Sequence, residues 1–300
     1  MSQLFKFLGM LTLAVCTTLT SAQDAVLKPF VLGSKGAGDL IQKVEATKAA
    51  LTKAGFAVVG SYSPYANTTI VIVTNDELKI SAAKSEYGAF GAAQRVAIVK
   101  VKDEVQVAYA NPAYWANVYR MNSDLKDTAA KLLAALGKVE EFGAKGKTAE
   151  QLRKYHYAFG MEYFDEPDPL VRHASHEEAV KQVEAGLAAG KQGVTKVYRI
   201  DIPGKKEVLF GVAMKGAEKD KFMDEKYIMS QIDFKDIKSA AHLPYEILVI
   251  DNKVFAQAAR FRIAASFPDL TMMGDNSFMK IMESPEAIKK ALAYTAGDKD

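Results

Sequence analysis

Two histidines three apart, His173 and His176, precede two acids, Glu177 and Glu178. Histidines at that spacing on one helix face can share a metal ion. Ser175, however, reads as the cap of the helix that follows. That leaves His173 ahead of the helix and His176 in its first turn, where Glu177 and Glu178 suit the positive end of the dipole. Zinc needs three or four ligands, and the spacing offers no third. The pair is therefore expected to be structural or solvent-exposed, with no metal, and the order is not that of the HExxH zinc enzymes. Four methionines, Met272, Met273, Met279 and Met282, crowd near the C-terminus. Thioethers bind Cu(I), but methionine also fills irregular cores, and core filling is the expectation here. Asp165, Glu166 and Asp168 bring oxygens suited to Ca²⁺. Pro167 and Pro169 interrupt them and the EF-hand spacing is missing, so they read as a charged loop.

Aromatic residues form the most suggestive groups. Tyr109, Tyr114, Trp115 and Tyr119 surround a helix start at Asn111-Pro112. Tyr155, Tyr157, Phe159, Met161 and Tyr163 alternate as on one face of a strand. Aromatic faces with a few polar tips line ligand pockets and also fill cores between helix and sheet. Core is the first reading. If a ligand site exists, Tyr109, Tyr114, Trp115, Tyr119 and Tyr157 are its candidates. No catalytic motif stands in context: there is no Ser-His-Asp order, P-loop, GxSxG or GxGxxG. Gly33 to Gly38 is glycine-rich ahead of a helix and could meet an anion, but it lacks P-loop spacing and reads as a strand-to-helix loop.

The elements that would position these residues recur in one order. Asp39 and Gln42 suggest a capping box for a helix ending at Gly55, with Val44 and Leu51 on one face. Ser175, Glu178, Val180, Val183, Leu187 and Gly190 repeat that pattern. Alternating strands follow in each half, then a helical stretch, Glu77 to Phe90 or Asp224 to Ser239. Hairpins then turn at Lys102-Asp103 and Asp251-Asn252. Closing helices begin at Asn111-Pro112 and Ser284-Pro285. A further helix from Leu125 to Leu136 places Leu125, Leu132, Leu133 and Leu136 on one side. A strand is expected before each first helix, at Val26 to Leu32 and at Tyr155 to Phe164. Glycine and lysine at residues 143–147 suit a solvated hinge.

With 300 residues, 49% hydrophobic and 25% charged, the chain has globular composition and room for two domains. A formal charge of only +3, with no basic run, argues against nucleic acid. Lys6, an apolar stretch from Leu8 to Leu19, and Thr20-Ser21-Ala22 read as a signal peptide cleaved after Ala22. The stretch is shorter than the ~20 residues a membrane crossing needs. Leu13-Ala14-Val15-Cys16 approximates a lipobox, though Val15 fits poorly. Cys16 is the only cysteine. A mature chain without it has no disulfide, no cysteine nucleophile and no thiolate metal site.

The segment His242-Leu243-Pro244-Tyr245-Glu246-Ile247-Leu248-Val249-Ile250 resembles the Leu-Pro-Cys signature that leads into an apolar strand in the bacterial domain-of-unknown-function family 302. Tyr245 stands where the family often has cysteine. In the first half, Ala92-Ala93-Gln94-Arg95-Val96 departs from the signature. The resemblance implies a small α+β domain in two tandem copies and brings no established activity. The resulting expectation is an α+β chain: a leader at 1–22, a first domain at 23–142, a linker at 143–154 and a second domain at 155–300. Each domain would be an antiparallel-type sheet with helices on one face, and the two would pack as an internal pseudo-dimer. The expected role is that of an exported, non-enzymatic binder in the periplasm, without a cofactor, that takes a small molecule or a protein. An enzyme of unrecognised class and a copper or zinc carrier are the alternatives.

Overall fold

A computed structural model describes residues 25–158 and 160–299. The expected leader, with Cys16, lies outside them, as does Phe159. The first half runs β1 (Phe30–Ala37), α1 (Leu40–Lys53), β2 (Ala57–Tyr62), β3 (Thr68–Thr74), α2 (Asp76–Ala83), β4 (Gln94–Val101), β5 (Glu104–Ala110), α3 (Pro112–Val118), α4 (Lys126–Leu136) and β6 (Glu140–Phe142). After α5 (Ala149–Arg153) come β7 (Asp168–Arg172), α6 (His176–Ala188), β8 (Val194–Asp201), β9 (Glu207–Met214), α7 (Glu225–Ile232), β10 (Tyr245–Ile250), β11 (Lys253–Ala256), α8 (Ala259–Ser266) and α9 (Ser284–Thr295). The fold is α+β with two antiparallel sheets, ordered β2-β3-β4-β5-β1-β6 and β7-β11-β10-β9-β8. Leaving β6 aside, the two sheets share one connectivity. No helix among the described residues is long and apolar enough to cross a membrane.

The local signals account for most element ends. Asp39 accepts from the Gln42 amide at 2.9 Å and Ser175 from the Glu178 amide at 3.2 Å, each capping its helix. Asn75 caps α2 by accepting from Leu78 at 2.8 Å. Leu51 is fully buried and Val44 nearly so on the inner side of α1, as Val183 and Leu187 are on α6. The helical stretch after β3 is shorter than its pattern suggested: α2 ends at Ala83, and a separate 3-10 turn follows at Gly88–Gly91.

Several expectations are corrected. The described residues of 155–164 form no strand; β7 starts at Asp168. Gly160 turns with φ +76°, and the aromatics go separate ways. Tyr155 and Phe164 are buried, whereas Tyr163 is 36% exposed. Pro169 sits in β7, an edge strand of its sheet, where a missing N–H is tolerated. The glycine-rich loop is not a loop: β1 extends through it to Ala37, with a bulge between Leu32 and Ser34. Gly33 is required there by close approach, since a Cβ would stand 2.7 Å from the Leu136 carbonyl oxygen. Leu133 is 50% exposed and leaves the face assigned to it. Asn111 does not cap α3; its amide donates to the Lys28 carbonyl at 2.9 Å and to Glu141 at 3.1 Å. The 143–147 stretch is tied to both halves. Leu27 and Lys147 exchange backbone bonds of 2.9 and 3.0 Å, and the Lys145 amide donates to Asp269 at 2.9 Å.

The halves meet through equivalent pieces. The turn at Gly88–Gly91 packs on β9 and β10, and the 3-10 turn Ala240–His242 packs on β3, β4 and β5. Both turns stand just ahead of the corresponding strand of their own sheet, β4 or β10. Edge strands β2 and β8 touch at Gly60 and Val197. Gln106 adds two bonds across the seam, donating to the Asp236 carbonyl at 2.9 Å and accepting from the Lys238 amide at 3.0 Å.

Candidate functional site

Charged side chains rise out of apolar strands at the seam. Register places Tyr62, Ile70 and Ala97 side by side across β2, β3 and β4. Arg95 is two residues from Ala97 and so shares their face. In the other sheet, Tyr198, Gly211 and Glu246 are neighbours in the same way. These faces look at each other. Arg95 lies 3.8 Å from Glu246, and the Tyr62 hydroxyl donates to Glu225 at 2.9 Å. Arg262 of α8 forms a buried ion pair with Glu246 and donates to the carbonyls of His242 and Pro244 at 2.6 and 2.7 Å. Tyr198 donates to Glu246 at 2.9 Å. His242 bonds Ser266 at 2.8 Å and Tyr245 at 3.1 Å. Burial, followed by the Arg262 and Arg95 charges, holds its imidazole well below the usual range. Burial pushes the Glu225 carboxyl up to about 8. Every charge in this cluster is enclosed by protein, so it fixes how the halves pack and does not receive a ligand.

An open cleft lies beside it. Its walls are the β2–β3 turn, Tyr65 to Thr68, and the adjoining end of β4 on one side and α7 on the other. Asn67 closes the β2–β3 turn in the left-handed region, φ +61°, and its carbonyl accepts from the Lys100 amide of β4 at 2.8 Å. Lys226 and Ser230 of α7 and its C-cap Asp233 stand at i, i+4 and i+7 and line the cleft together, while Ile228 and Ile232 are buried. Asp224 starts this helix by accepting from the Tyr227 amide at 2.8 Å. The cleft holds about 380 Å³ of free space and takes Lys100, Lys226 and Lys238 against a single acid, Asp233. Asp233 accepts from the Ser239 amide at 2.9 Å, and desolvation raises its carboxyl to about 7. Tyr65 lies beside it; burial first, then the Asp233 charge, keeps its phenol protonated. The Thr68 hydroxyl is buried in the wall without a partner among the described residues.

A second cleft has the matching place on the other sheet. It lies between the β9–β10 end, with the 251–255 hairpin, and the C-terminal end of α2, and holds about 470 Å³. It too has three lysines, Lys84, Lys205 and Lys253, but these face Glu86, Glu207 and Asp251. Its charges balance, whereas those of the first cleft do not.

The aromatic candidates lie elsewhere: Tyr114, Trp115 and Tyr119 pack ring to ring at 5.5 and 5.2 Å inside the core, away from Tyr157 at the surface. Tyr109, Tyr114, Trp115 and Tyr119 are at most 3% exposed. Tyr109 donates to the Gly137 carbonyl at 3.1 Å, Tyr114 to Ala265 at 2.8 Å and Trp115 to Pro29 at 2.9 Å. Arg95 stacks on Trp115 at 4.9 Å, and Phe164 on Tyr119 at 5.2 Å. Their surfaces are thus committed to protein. Tyr157 is half-buried at an apolar slot with Phe261, Phe267 and Phe278, whose free space of about 20 Å³ accommodates one water. His173 and His176 each bond a backbone carbonyl, Ala296 at 3.0 Å and Asp251 at 2.9 Å. Asp165 pairs with Arg120 at 2.6 Å and Asp168 with Lys289 at 3.0 Å, so these acids point at different cations. Among the described residues, no three His, Cys, Asp or Glu side chains gather as a metal site.

Sequence reading passed over Arg95, Glu246, Glu225 and the α7 stripe. A signal existed for two of them: Arg95 and Glu246 are single charges inside the apolar runs Ala92–Val99 and Tyr245–Ile250. The lysine cleft had none, because its two walls are over 100 residues apart in the chain. No family model matches the chain, and no curated protein or solved structure does either.

Proposed function

We propose that this is an exported, non-enzymatic protein that holds a small anionic molecule in the seam cleft of Lys100, Lys226 and Lys238. The observation that carries the reading is the charge difference between the matching clefts: three lysines meet one aspartate in the first and three acids in the second. Clefts between domains are common ligand sites, and Tyr65 and Thr68 add hydroxyls suited to an anion's oxygens. In this reading the two halves are tandem copies of one domain, of the kind that the resemblance to family 302 implies, packed as a covalent pseudo-dimer. One copy's cleft kept its positive excess and the other's was neutralised.

The test is calorimetric titration of the mature chain with small carboxylates, phosphate and sulfate at low ionic strength. Binding that weakens with salt and falls at least tenfold in K100Q/K226Q supports the proposal. Heats unchanged by that double substitution, or the same response to K84Q/K253Q in the second cleft, overturn it. A catalytic reading draws on one feature, the Asp233 carboxyl raised to about 7 beside Tyr65, which suits proton transfer near neutral pH. Turnover of a bound anion that D233N abolishes while binding persists would establish it.

A further inference from the structure

The segment 270–282 sorts its apolar side chains by type. Ile281 is fully buried, and Leu270 and Phe278 pack against the core. Met272, Met273, Met279 and Met282 are 45, 74, 52 and 59% exposed. This overturns the expectation that they fill core space. A flexible filler residue belongs on the inner side of such a segment, yet here all four thioethers point outward and the branched and aromatic residues point in.

Backbone geometry gathers three of the four. The Met279 amide donates to the Met272 carbonyl at 3.1 Å, which sets these residues opposite one another. Phe278–Ile281 is a 3-10 helix with Met282 as its C-cap in helical conformation. Residues three apart eclipse on such a helix, so Met279 and Met282 share a side. The loop is also held without any ligand. Phe278 donates to the Thr271 carbonyl at 2.9 Å, and the Ser277 hydroxyl to that of Gly274 at 2.7 Å.

We propose that Met272, Met279 and Met282 form an exposed three-thioether site for Cu(I). Thioether sulfur is soft and uncharged and selects Cu(I) over zinc, calcium or magnesium. The only cysteine, Cys16, falls in the expected leader, so the mature chain holds no thiolate to compete. Binding is simple coordination, with no change in the metal's oxidation state and no proton released, and therefore nearly independent of pH above the range where carboxylates titrate. Met273 is adjacent in sequence to Met272 and outside the trio.

The experiment is anaerobic titration of the mature chain with Cu(I) against a chromogenic Cu(I) chelator, with native mass spectrometry of the product. A single copper ion per chain is expected. It is retained by M273L and lost by M272L/M279L/M282L, while Zn²⁺ is not held. Leucine keeps the apolar surface, and equal melting temperatures show that the fold is intact. If the chelator strips all copper from the unaltered chain, or the triple variant retains it equally, the site does not exist. A surface that docks a protein through these methionines would give that second result. The readout uses no anion, so it stands apart from the lysine cleft.

Discussion

The Tyr198 ring lies across Gly211 to reach Glu246, so one residue without a side chain lets β8 and β10 share a hydrogen bond over the strand between them. A Cβ on Gly211 would stand 1.8 Å from Tyr198 Cε1, and the hydroxyl beyond donates to Glu246 at 2.9 Å. Gly211→Ala should lower stability by about 3 kcal/mol, at the upper end for overpacking. Urea unfolding measures it. Adding Tyr198→Ala should recover part of the loss, whereas Tyr198→Phe, which keeps the ring, should recover none. Additive effects of G211A and Y198A would mean that the ring does not occupy that space.

Glu246 is the shared counter-charge for two buried guanidiniums, Arg262 in a direct pair and Arg95 at 3.8 Å. Removing one partner of such a group leaves buried charge uncompensated, at a cost of about 3–5 kcal/mol. Glu246→Gln is therefore expected to destabilise by that amount. Replacing all three, as R95M/E246L/R262M, should cost less than E246Q, because apolar residues of similar volume need no partner. Denaturant midpoints of both variants decide it; a triple variant weaker than E246Q would show that the ions stabilise the seam on balance.

How far the sequence foretells this structure depends on the range of the interaction that decides each element. Asp39, Ser175 and the hairpin at Asp251-Asn252 act within four residues, and the chain follows them. The aromatic alternation from Tyr155 to Tyr163 looked like a strand because period two was present. Gly160 and the distant partners of Tyr155 and Phe164, Phe261 and Tyr119, decide otherwise. The outward methionines are not legible in the sequence, because residue type alone does not say which side of a segment meets the core. The cleft needs β4 and α7 to be brought together by the seam, which no local spacing encodes.

Stability should fall as pH rises from about 6.5 to 8. Glu225 has its carboxyl raised to about 8 and Asp233 to about 7, so the folded chain holds protons that the unfolded chain releases near 4. Such groups stabilise fully below their unfolded values, and that contribution is lost as pH climbs through the folded ones. His242 has the opposite sense. It stays neutral in the fold, so its contribution is present above its ordinary value near 6.5 and is lost below that. Above about pH 7.2 the unfolded histidine is also mostly neutral, so the slope there comes from the acids, up to about 1.4 kcal/mol per pH unit for each proton. Melting temperatures at pH 6.5, 7.2 and 8 should decline, and Glu225→Gln, which imitates the protonated acid beside Tyr62, should flatten the decline. An unchanged slope in E225Q would remove Glu225 as its source.

The two halves should recognise each other when produced as separate chains. Neither can satisfy its own inner face. Alone, the first half would leave Arg95 and Gln106 without the partners they have in the second. The second would lose the Tyr62 hydroxyl from Glu225 and the Tyr114 hydroxyl from the Ala265 carbonyl. Tethering keeps such surfaces at an effective concentration of about millimolar for a short linker, so even a modest interface stays closed in the intact chain. The division belongs after residue 154, since α5 packs on α3 of the first half. Residues 23–154 and 155–300, co-expressed with a tag on one piece only, should purify together and sediment as a single one-to-one species. The charge cluster supplies the specificity control. Arg95→Glu in the first piece would face Glu246 with like charge and should abolish co-purification, and E246R in the second should restore part of it. Two well-folded pieces that stay apart at high micromolar concentration would mean that the seam contributes no affinity and that the pseudo-dimer is wrong.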